Sequence, residues 1–395
     1  MRLITAYSHQ IIPKQAINHL KEEVSQEGLS SLICYYSEEY SSHEIQYALT
    51  QAFPGIPMIG CSSCLGVMTD KGYHPGPVIA LMAIYDSSFS AYGTGLVELD
   101  DCCDYKKATQ KAIQQALIAS NRVGEVPSLI ILHSTPGNEE LFIDAIDETF
   151  GAQVPIIGGS SADNHIQEKW SIITQEGWSQ HGIAMQLFFP SKPLITGLSA
   201  GYSPTEFEGV VTKAAGRCIE QIDGERAADI YKEWISDHSS LQINDEYLFQ
   251  HVTRFPIGRI AGYVHQQAYY KLSHPIRMTK NGGLELFSTI HQGETITLMS
   301  GSKDQLVNRA SKVIKDVNTQ NYHESLLLGA VIIYCAGPML QLGHEILTVY
   351  QQLTKDMRGQ PFICPFTFGE QGRFVSGENA HGNLMIASVI FYESE

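Results

Sequence analysis

The stretch FPGIPMIGCSSCLGV, Phe53 to Val67, closes a helix-like run, crosses a short apolar strand and opens into a loop of small polar residues with two cysteines. It recurs as TFGAQVPIIGGSSADN, Thr149 to Asn164. Phe53 matches Phe150, Pro57 matches Pro155, Gly60 matches Gly158, and Ser62-Ser63 match Ser160-Ser161. A spacing of about a hundred residues is too long for a solenoid and suits a duplicated half-domain. The approach to each loop repeats as well. SLICYY (Ser31 to Tyr36) and SLIILH (Ser128 to His133) each lead through a helix-like segment into their loop. A third copy lies near the C-terminus: GAVIIYCAG (Gly329 to Gly337) as a strand, Gln341 to Lys355 as a helix, then PFICPFTFGEQG from Pro361. That alignment sets Cys364 beside Gly60 and Gly158.

The chain has 395 residues, 43% of them hydrophobic and 17% charged, with a net charge of −16. Such a composition can bury a large core and is not that of a disordered chain. The acidic balance, with no Lys/Arg-rich stretch, argues against nucleic acid and against an anionic membrane surface, because both are bound through phosphate neutralisation. No stretch reaches the eighteen apolar residues of a membrane span, and MRLITAYSHQIIPKQ lacks the features of a signal peptide. Eight cysteines scattered along a long chain fit reduced thiols and a cytoplasmic location.

In chain order, the first unit reads as strand Arg2–Tyr7, helix Lys14–Gln26, strand Leu32–Tyr36, a helix capped by Ser41 or Ser42, and strand Pro57–Gly60. Val78–Tyr85 and Ser90–Leu96 follow as an expected antiparallel pair. The second unit repeats this with helix Tyr105–Ser120, strand Leu129–Leu132, helix Glu139–Phe150, strand Pro155–Gly158, and a pair near Gly182–Phe189 and Leu194–Gly201. Leu141, Phe142, Ala145, Ile146 and Thr149 are expected to face inward. Ser203-Pro204 marks a boundary. Beyond it come strand Phe207–Ala215, helix Glu225–Trp234, strand Thr295–Met299, a helix capped by Ser302, the third unit, and a closing strand Leu384–Tyr392. The fold expected is α/β, with repeated helix–strand–helix–strand units forming mixed sheets and two pseudo-repeated halves around a cleft. The halves span 1–202 (internal repeats about 1–100 and 101–202) and 203–395.

GCSS (Gly60–Ser63), GGSSADN (Gly158–Asn164), HGIAMQLFFPS (His181–Ser191), DGERAADIY (Asp223–Tyr231), YCAG (Tyr334–Gly337), FGE (Phe368–Glu370) and HGN (His381–Asn383) occur in an order that resembles the FIST family of intracellular sensory modules. The likeness runs over essentially the whole chain, with 1–202 similar to a FIST N domain and 203–395 to a FIST C domain. It implies a cytosolic sensor, with small metabolites such as amino acids among the ligands proposed for the family. With no attached kinase, GGDEF-type or F-box segment, the chain resembles most the stand-alone bacterial branch of nitric-oxide-sensing haemoproteins. That branch implies haem as cofactor, a gaseous ligand, and a histidine kinase or cyclic-di-GMP enzyme as partner. A homodimer is compatible with it. The family often carries Arg three residues after the YCAG cysteine. Pro338 stands there in this chain, which removes that anchor for a ligand carboxylate or phosphate.

The candidate site residues carry distinct chemistries. Cys61 and Cys64 have the spacing for zinc, an iron–sulfur cluster or a reversible disulfide, and Cys335 and Cys364 would complete four thiolates if the halves faced each other. The plainer reading is buried free thiols. Cys102-Cys103 lacks ligand spacing. Of the fifteen histidines, His181 is the lead haem ligand, ahead of His74, His133 and His381, although a satisfied structural histidine is the commoner case. Gly60, Ser62, Ser63, Gly158, Gly159, Ser160 and Ser161 could form anion-binding nests, with Asp163 and Asn164 either binding ligand or stabilising a turn. Glu370 and Arg373 are polar candidates at the mouth of the C-terminal half. No nucleophile–base pattern is legible, so catalysis is not expected.

Overall fold

Successive side chains of a strand point to opposite faces, so a strand covered on both sides must be apolar at nearly every position. SLICYY and its two counterparts meet this condition. The computed structural model describes residues 1–100, 104–243, 248, 252–264, 266–320, 325–374 and 377–393. In it, Ile33 and Tyr35 face one core and Leu32, Cys34 and Tyr36 another. Leu129 and Ile131 divide from Ile130 and Leu132 in the same way. So do Val331 and Ile333 from Ala330, Ile332 and Tyr334. The first-named core of each set is common to all three strands. The other three are roofed by each repeat's own helices.

The first repeat is β1 (Arg2–Ser8), α1 (Pro13–Glu23), β2 (Leu29–Ser37), α2 (Ser42–Ala52), β3 (Met58–Ser63), β4 (Gly66–Thr69), β5 (Gly72–Pro75) and β6 (Ile79–Tyr85). The second is β7 (Ala91–Glu98), α3 (Tyr105–Ala119), β8 (Leu129–Ser134), α4 (Glu139–Phe150), β9 (Ile156–Ser160), β10 (Ile172–Thr174), β11 (Gly177–Ser179) and β12 (Gly182–Phe189). The third opens with β13 (Leu194–Ser199) and is then interrupted. The insert comprises β14 (Ser203–Ala215), β15 (Cys218–Ile222), β16 (Glu225–Arg226), α5 (Ala227–Ser239), β17 (Ile257–Val264), β18 (Gln267–Ser273), β19 (Pro275–Met278), β20 (Leu284–Leu286) and β21 (Thr295–Ser300). The repeat resumes with α6 (Lys303–Thr319), β22 (Leu327–Cys335), α7 (Ala336–Leu342), α8 (Ile346–Asp356), β23 (Phe362–Thr367), β24 (Glu370–Arg373), β25 (Asn379–Gly382) and β26 (Ile386–Tyr392). The repeated α/β units and mixed sheets are those the sequence predicts. The expected single helix Gln341–Lys355 is divided at Gly343.

Three sheets carry the repeats, in the orders β1-β6-β2-β3-β10-β11, β7-β12-β8-β9-β24-β25 and β13-β26-β22-β23-β4-β5. Each holds four strands of its own repeat plus a hairpin lent by another. The second repeat's hairpin sits on the first sheet, the third's on the second, and the first's on the third, closing a cycle. Within each sheet the helix-linked strands pair in parallel: β2 with β3, β8 with β9, β22 with β23. In that register Cys34 faces Gly60 and Leu132 faces Gly158. Cys364 follows Ile363, which pairs Val331, and so takes the third equivalent place.

The expected antiparallel pairs, 78–85 with 90–96 and 182–189 with 194–201, do not form. A strand has two edges, and both edges of β6 are occupied by β1 and β2. Those of β12 are occupied by β7 and β8. The following strand therefore enters the next sheet, where β13 pairs β26.

Local signals hold at the helix ends. Ser41 accepts from the Glu44 N–H, and Ser302 with Gln305 completes a capping box. On α4, Phe142, Ile143, Ala145 and Ile146 are buried, while Leu141 and Thr149 are exposed, against expectation. Leu141 lies beyond the edge of the stripe set by Phe142 and Ile146, and Thr149 lies on its line but in the last turn of the helix. The insert has its own core, built on Tyr231, Trp234, Ile235, Leu248, Val252 and Leu298 among others.

A cleft between the repeats and the insert as candidate functional site

The two glycine–serine loops are packed structure. A methyl group at Gly158 would overlap the Leu132 carbonyl oxygen, and one at Gly60 would overlap that of Cys34, so both glycines are needed for the strands to approach. At Gly159 it would run into the Thr367 side chain. Ser62 Oγ accepts from the Ser171 N–H at 2.9 Å. Ser63 Oγ accepts from the Phe366 N–H at 2.8 Å and donates to the Gly66 carbonyl. Ser161 Oγ donates to the Ser134 carbonyl at 3.3 Å. The hydroxyls of Ser62 and Ser63 fasten the first repeat to the chains of the second and third, and that of Ser161 ties two strands of its own repeat. The buried Asp163 carboxylate accepts from the N–H groups of His165, Ile166, Gln167 and Lys169. Asn164 accepts from the Leu65 N–H at 2.7 Å and so ties the second loop to the first. The turn-stabilising reading of Asp163 and Asn164 is what the geometry supports.

The four cysteines do not converge. Cys61 and Cys335 lie in the central core, Cys64 and Cys364 in the core under the third repeat's helices. All four are free, buried thiols whose pKa values burial raises, that of Cys64 to about 12. Alternation along and between strands separates them. Among the described residues no group of three or more His, Cys, Asp or Glu is placed to hold a metal. Cys102-Cys103 lies outside the described residues.

His181 is exposed, in the turn before β12, where its backbone bonds Ser179 Oγ and the Leu99 N–H. It faces solvent, not the apolar pocket a haem ligand requires. His133 lies in the interior, its Nε2 3.1 Å from Tyr35 Oη and its Nδ1 3.0 Å from the Gly159 carbonyl, and burial lowers its pKa to about 4. His74 stacks on Tyr7 with ring centroids 3.7 Å apart and bonds Thr69.

A buried polar junction fastens the insert to the repeats. Ser160 Oγ donates to Glu139 at 2.7 Å and accepts from Gln371 Nε2 at 3.2 Å. Arg217, between β14 and β15, reaches Glu139 at 2.7 Å and Glu140 at 3.0 Å. The Thr289 N–H donates to Glu140 at 2.9 Å. Burial opposes the Glu140 charge, but His381, Arg217 and the Thr289 N–H outweigh it and hold the pKa at about 2.

Glu370 marks a second junction. Its carboxyl accepts from Thr367 Oγ1 and from the Met385 N–H, both at 3.0 Å. Burial raises its pKa to about 8, against the pull of nearby Arg309. The Arg309 guanidinium lies 5.0 Å from the Tyr334 ring centroid, and its Nη2 donates to the Met385 carbonyl at 2.7 Å. Arg373 reaches the Gln153 carbonyl at 2.7 Å.

Arg309 opens onto the other side of this junction. A cleft of about 750 Å³ runs between α6 and the 197–202 segment on the repeat side and Ser203, Pro204, Ala268–Tyr270 and Met299 on the insert side. Phe374 closes it, its ring 4.9 Å from that of Tyr269. A concave site of this size between two packed bodies, with aromatic walls and a few polar groups, is the usual form of a small-molecule site. Sequence reasoning missed it. The available signal was Arg309 itself, three residues after Leu306 and four before Val313, on the core-facing stripe of an amphipathic helix.

Residues 31–225 match the FIST N domain and residues 227–373 the FIST C domain. The border between them falls at Arg226, the last residue of β16, within the insert. No curated protein matches the sequence. Among solved structures, the chain is similar to the crystal structure of a cyanuric acid hydrolase from A. caulinodans, at 8% identity and a TM-score of 0.36, covering 100% of this chain and 99% of that one. FIST domains are sensory modules of signal transduction, and with both domains matched in order this chain belongs to the FIST family.

Proposed function

We propose that the protein senses a small metabolite bound in the cleft between α6 and the insert, and relays occupancy to a signalling partner such as a histidine kinase or a cyclic-di-GMP enzyme. The observation that carries this reading is that the two walls come from different parts of the chain, one from β13 and α6 of the third repeat and one from β18 and β21 of the insert. A ligand shifts a conformational equilibrium only through contacts that differ between the two states. One that touches both walls has such contacts whenever the insert moves against the repeats.

Haem and thiol sensing draw less support from the geometry. Among the described residues no histidine lines the cleft, His181 is exposed, and Cys61, Cys64, Cys335 and Cys364 are divided between two cores. The test is a thermal-shift screen of metabolites on the wild type and on Asn308→Trp, which fills the cleft from α6. Ligands that bind the native state raise its melting temperature. Compounds that stabilise the wild type and not the variant support the reading. A saturable Soret band on haem titration, shifted by nitric oxide, would replace it with haem sensing.

A further inference from the structure

The cleft has an unusual wall. Arg309 is only 2% exposed, and its Nε and Nη1 meet no acceptor. A buried guanidinium with unmet donors is costly, because the hydration it gives up is not replaced by protein acceptors. The nearest carboxyl does not relieve it. Glu370 accepts from Thr367 and Met385, makes no ion pair with Arg309 among the described residues, and has its pKa pushed up by burial. Arg309 is thus a buried cation without a matching anion, in the wall of a cleft large enough for a metabolite.

We propose that the cleft takes a small organic monocarboxylate with a flat apolar body, its carboxylate accepted by Arg309 and its body lying against Tyr269, Tyr270 and Phe374. This rests on the cleft being the sensory site and adds the ligand's class. A carboxylate supplies the planar acceptor a guanidinium prefers. The rim limits the charge: Lys312 is one turn further along α6, but Asp304 and Asp316 line the same helix. Two acids and two bases leave no excess for a phosphate chain, which selects a monoanion. The aromatic rings supply apolar area for an uncharged body.

The segment joining β13 to β14 packs on the aliphatic stem of Arg309. Gly201, at φ +89°, lies so close that a methyl group there would sit 2.6 Å from Arg309 Cβ. Gly201 and Tyr202 also form the covalent link into the insert, so an Arg309 side chain that shifts to meet a carboxylate moves against that link. Binding and the relay share that segment.

The experiment compares acids with their uncharged amides on the full chain: benzoate against benzamide, and 3-phenylpropionate against its amide, by thermal shift and calorimetry. The acids are expected to raise the melting temperature saturably and the amides not. Arg309→Met should lose affinity on the order of 10- to 100-fold, the worth of a charge-assisted hydrogen bond, and Arg309→Lys should recover part of it. Equal shifts from acid and amide, acid binding that survives Arg309→Met, or no shift from any acid would each overturn the monocarboxylate assignment. A neutral compound whose effect disappears in Asn308→Trp would overturn the assignment while leaving the cleft as the sensory site. A metabolite panel with no compound sensitive to Asn308→Trp would overturn both.

Discussion

The glycine–serine loops and the cleft under α6 contrast in almost every respect. The loops dominate the sequence through repetition, and the hydroxyls of Ser62, Ser63, Ser160 and Ser161 are all engaged inside the protein. The cleft leaves no repeated mark in the sequence, yet its wall holds a buried cation with two unmet donors. Repetition here records a packing problem solved in each repeat, the close approach of parallel strands and the handing of a hairpin to the next sheet. The cleft exists only where the insert breaks the third repeat, so nothing in the other two resembles it.

This contrast can be broken at several points. Gly158→Ala should have the largest effect. The added methyl meets a main-chain carbonyl that cannot rotate away, and loss of soluble folded protein is expected. Wild-type yield and melting temperature in that variant would refute the packing account of the loops. Asp163→Ala removes the acceptor of four backbone N–H groups and should lower stability by about 3 kcal/mol in urea unfolding, with Asp163→Asn costing less. If instead its stability is unchanged and ligand binding is lost, the loop belongs to the site.

The pH dependence separates the two regions as well. Glu370 has its pKa raised by burial from 4.5 to about 8. The folded state then keeps a proton that the unfolded chain releases, so stability falls as pH rises through that interval, by up to about 1.4 kcal/mol per unit. His133, lowered by burial from 6.5 to about 4, has the opposite sign, and its contribution is lost as pH falls from 6.5 to 4. His74, also lowered to about 4 mainly by burial, adds to that acid-side loss. The wild type should therefore melt highest near pH 6.5. Glu370→Gln should flatten the decline between pH 6.5 and 8, and equal declines in both proteins would remove Glu370 as its source. The smallest effect is expected at Arg309. Arg309→Met loses one hydrogen bond but also an uncompensated buried charge, so unfolding stability should stay within about 1 kcal/mol of wild type. A loss of several kcal/mol would make Arg309 a structural residue and weaken its assignment to a ligand.

The elements themselves were legible because their signals are local. Alternation and apolar runs located β2, β8 and β22, and serine caps located α2 and α6. Strand partners were not legible. Leu96 and Val97 read the same whether β7 pairs β6 or β12, and only the occupied edges of β6 decide between them. The same limit applies to the candidate site. The CxxC of Cys61 and Cys64 looks like one ligand set until β3 ends and the chain crosses into another sheet, which sends the two thiols to different cores.

By itself, the sequence determined that this is an α/β chain of repeated units with FIST-family order, because periodicity, caps and repeated loops depend on neighbours along the chain. The tertiary structure alone decided that the repeats form a cycle by lending hairpins, and that Glu370, Arg309 and an inserted sheet meet. Pairing edges and burial are set by residues hundreds of positions apart, and no local pattern carries that information.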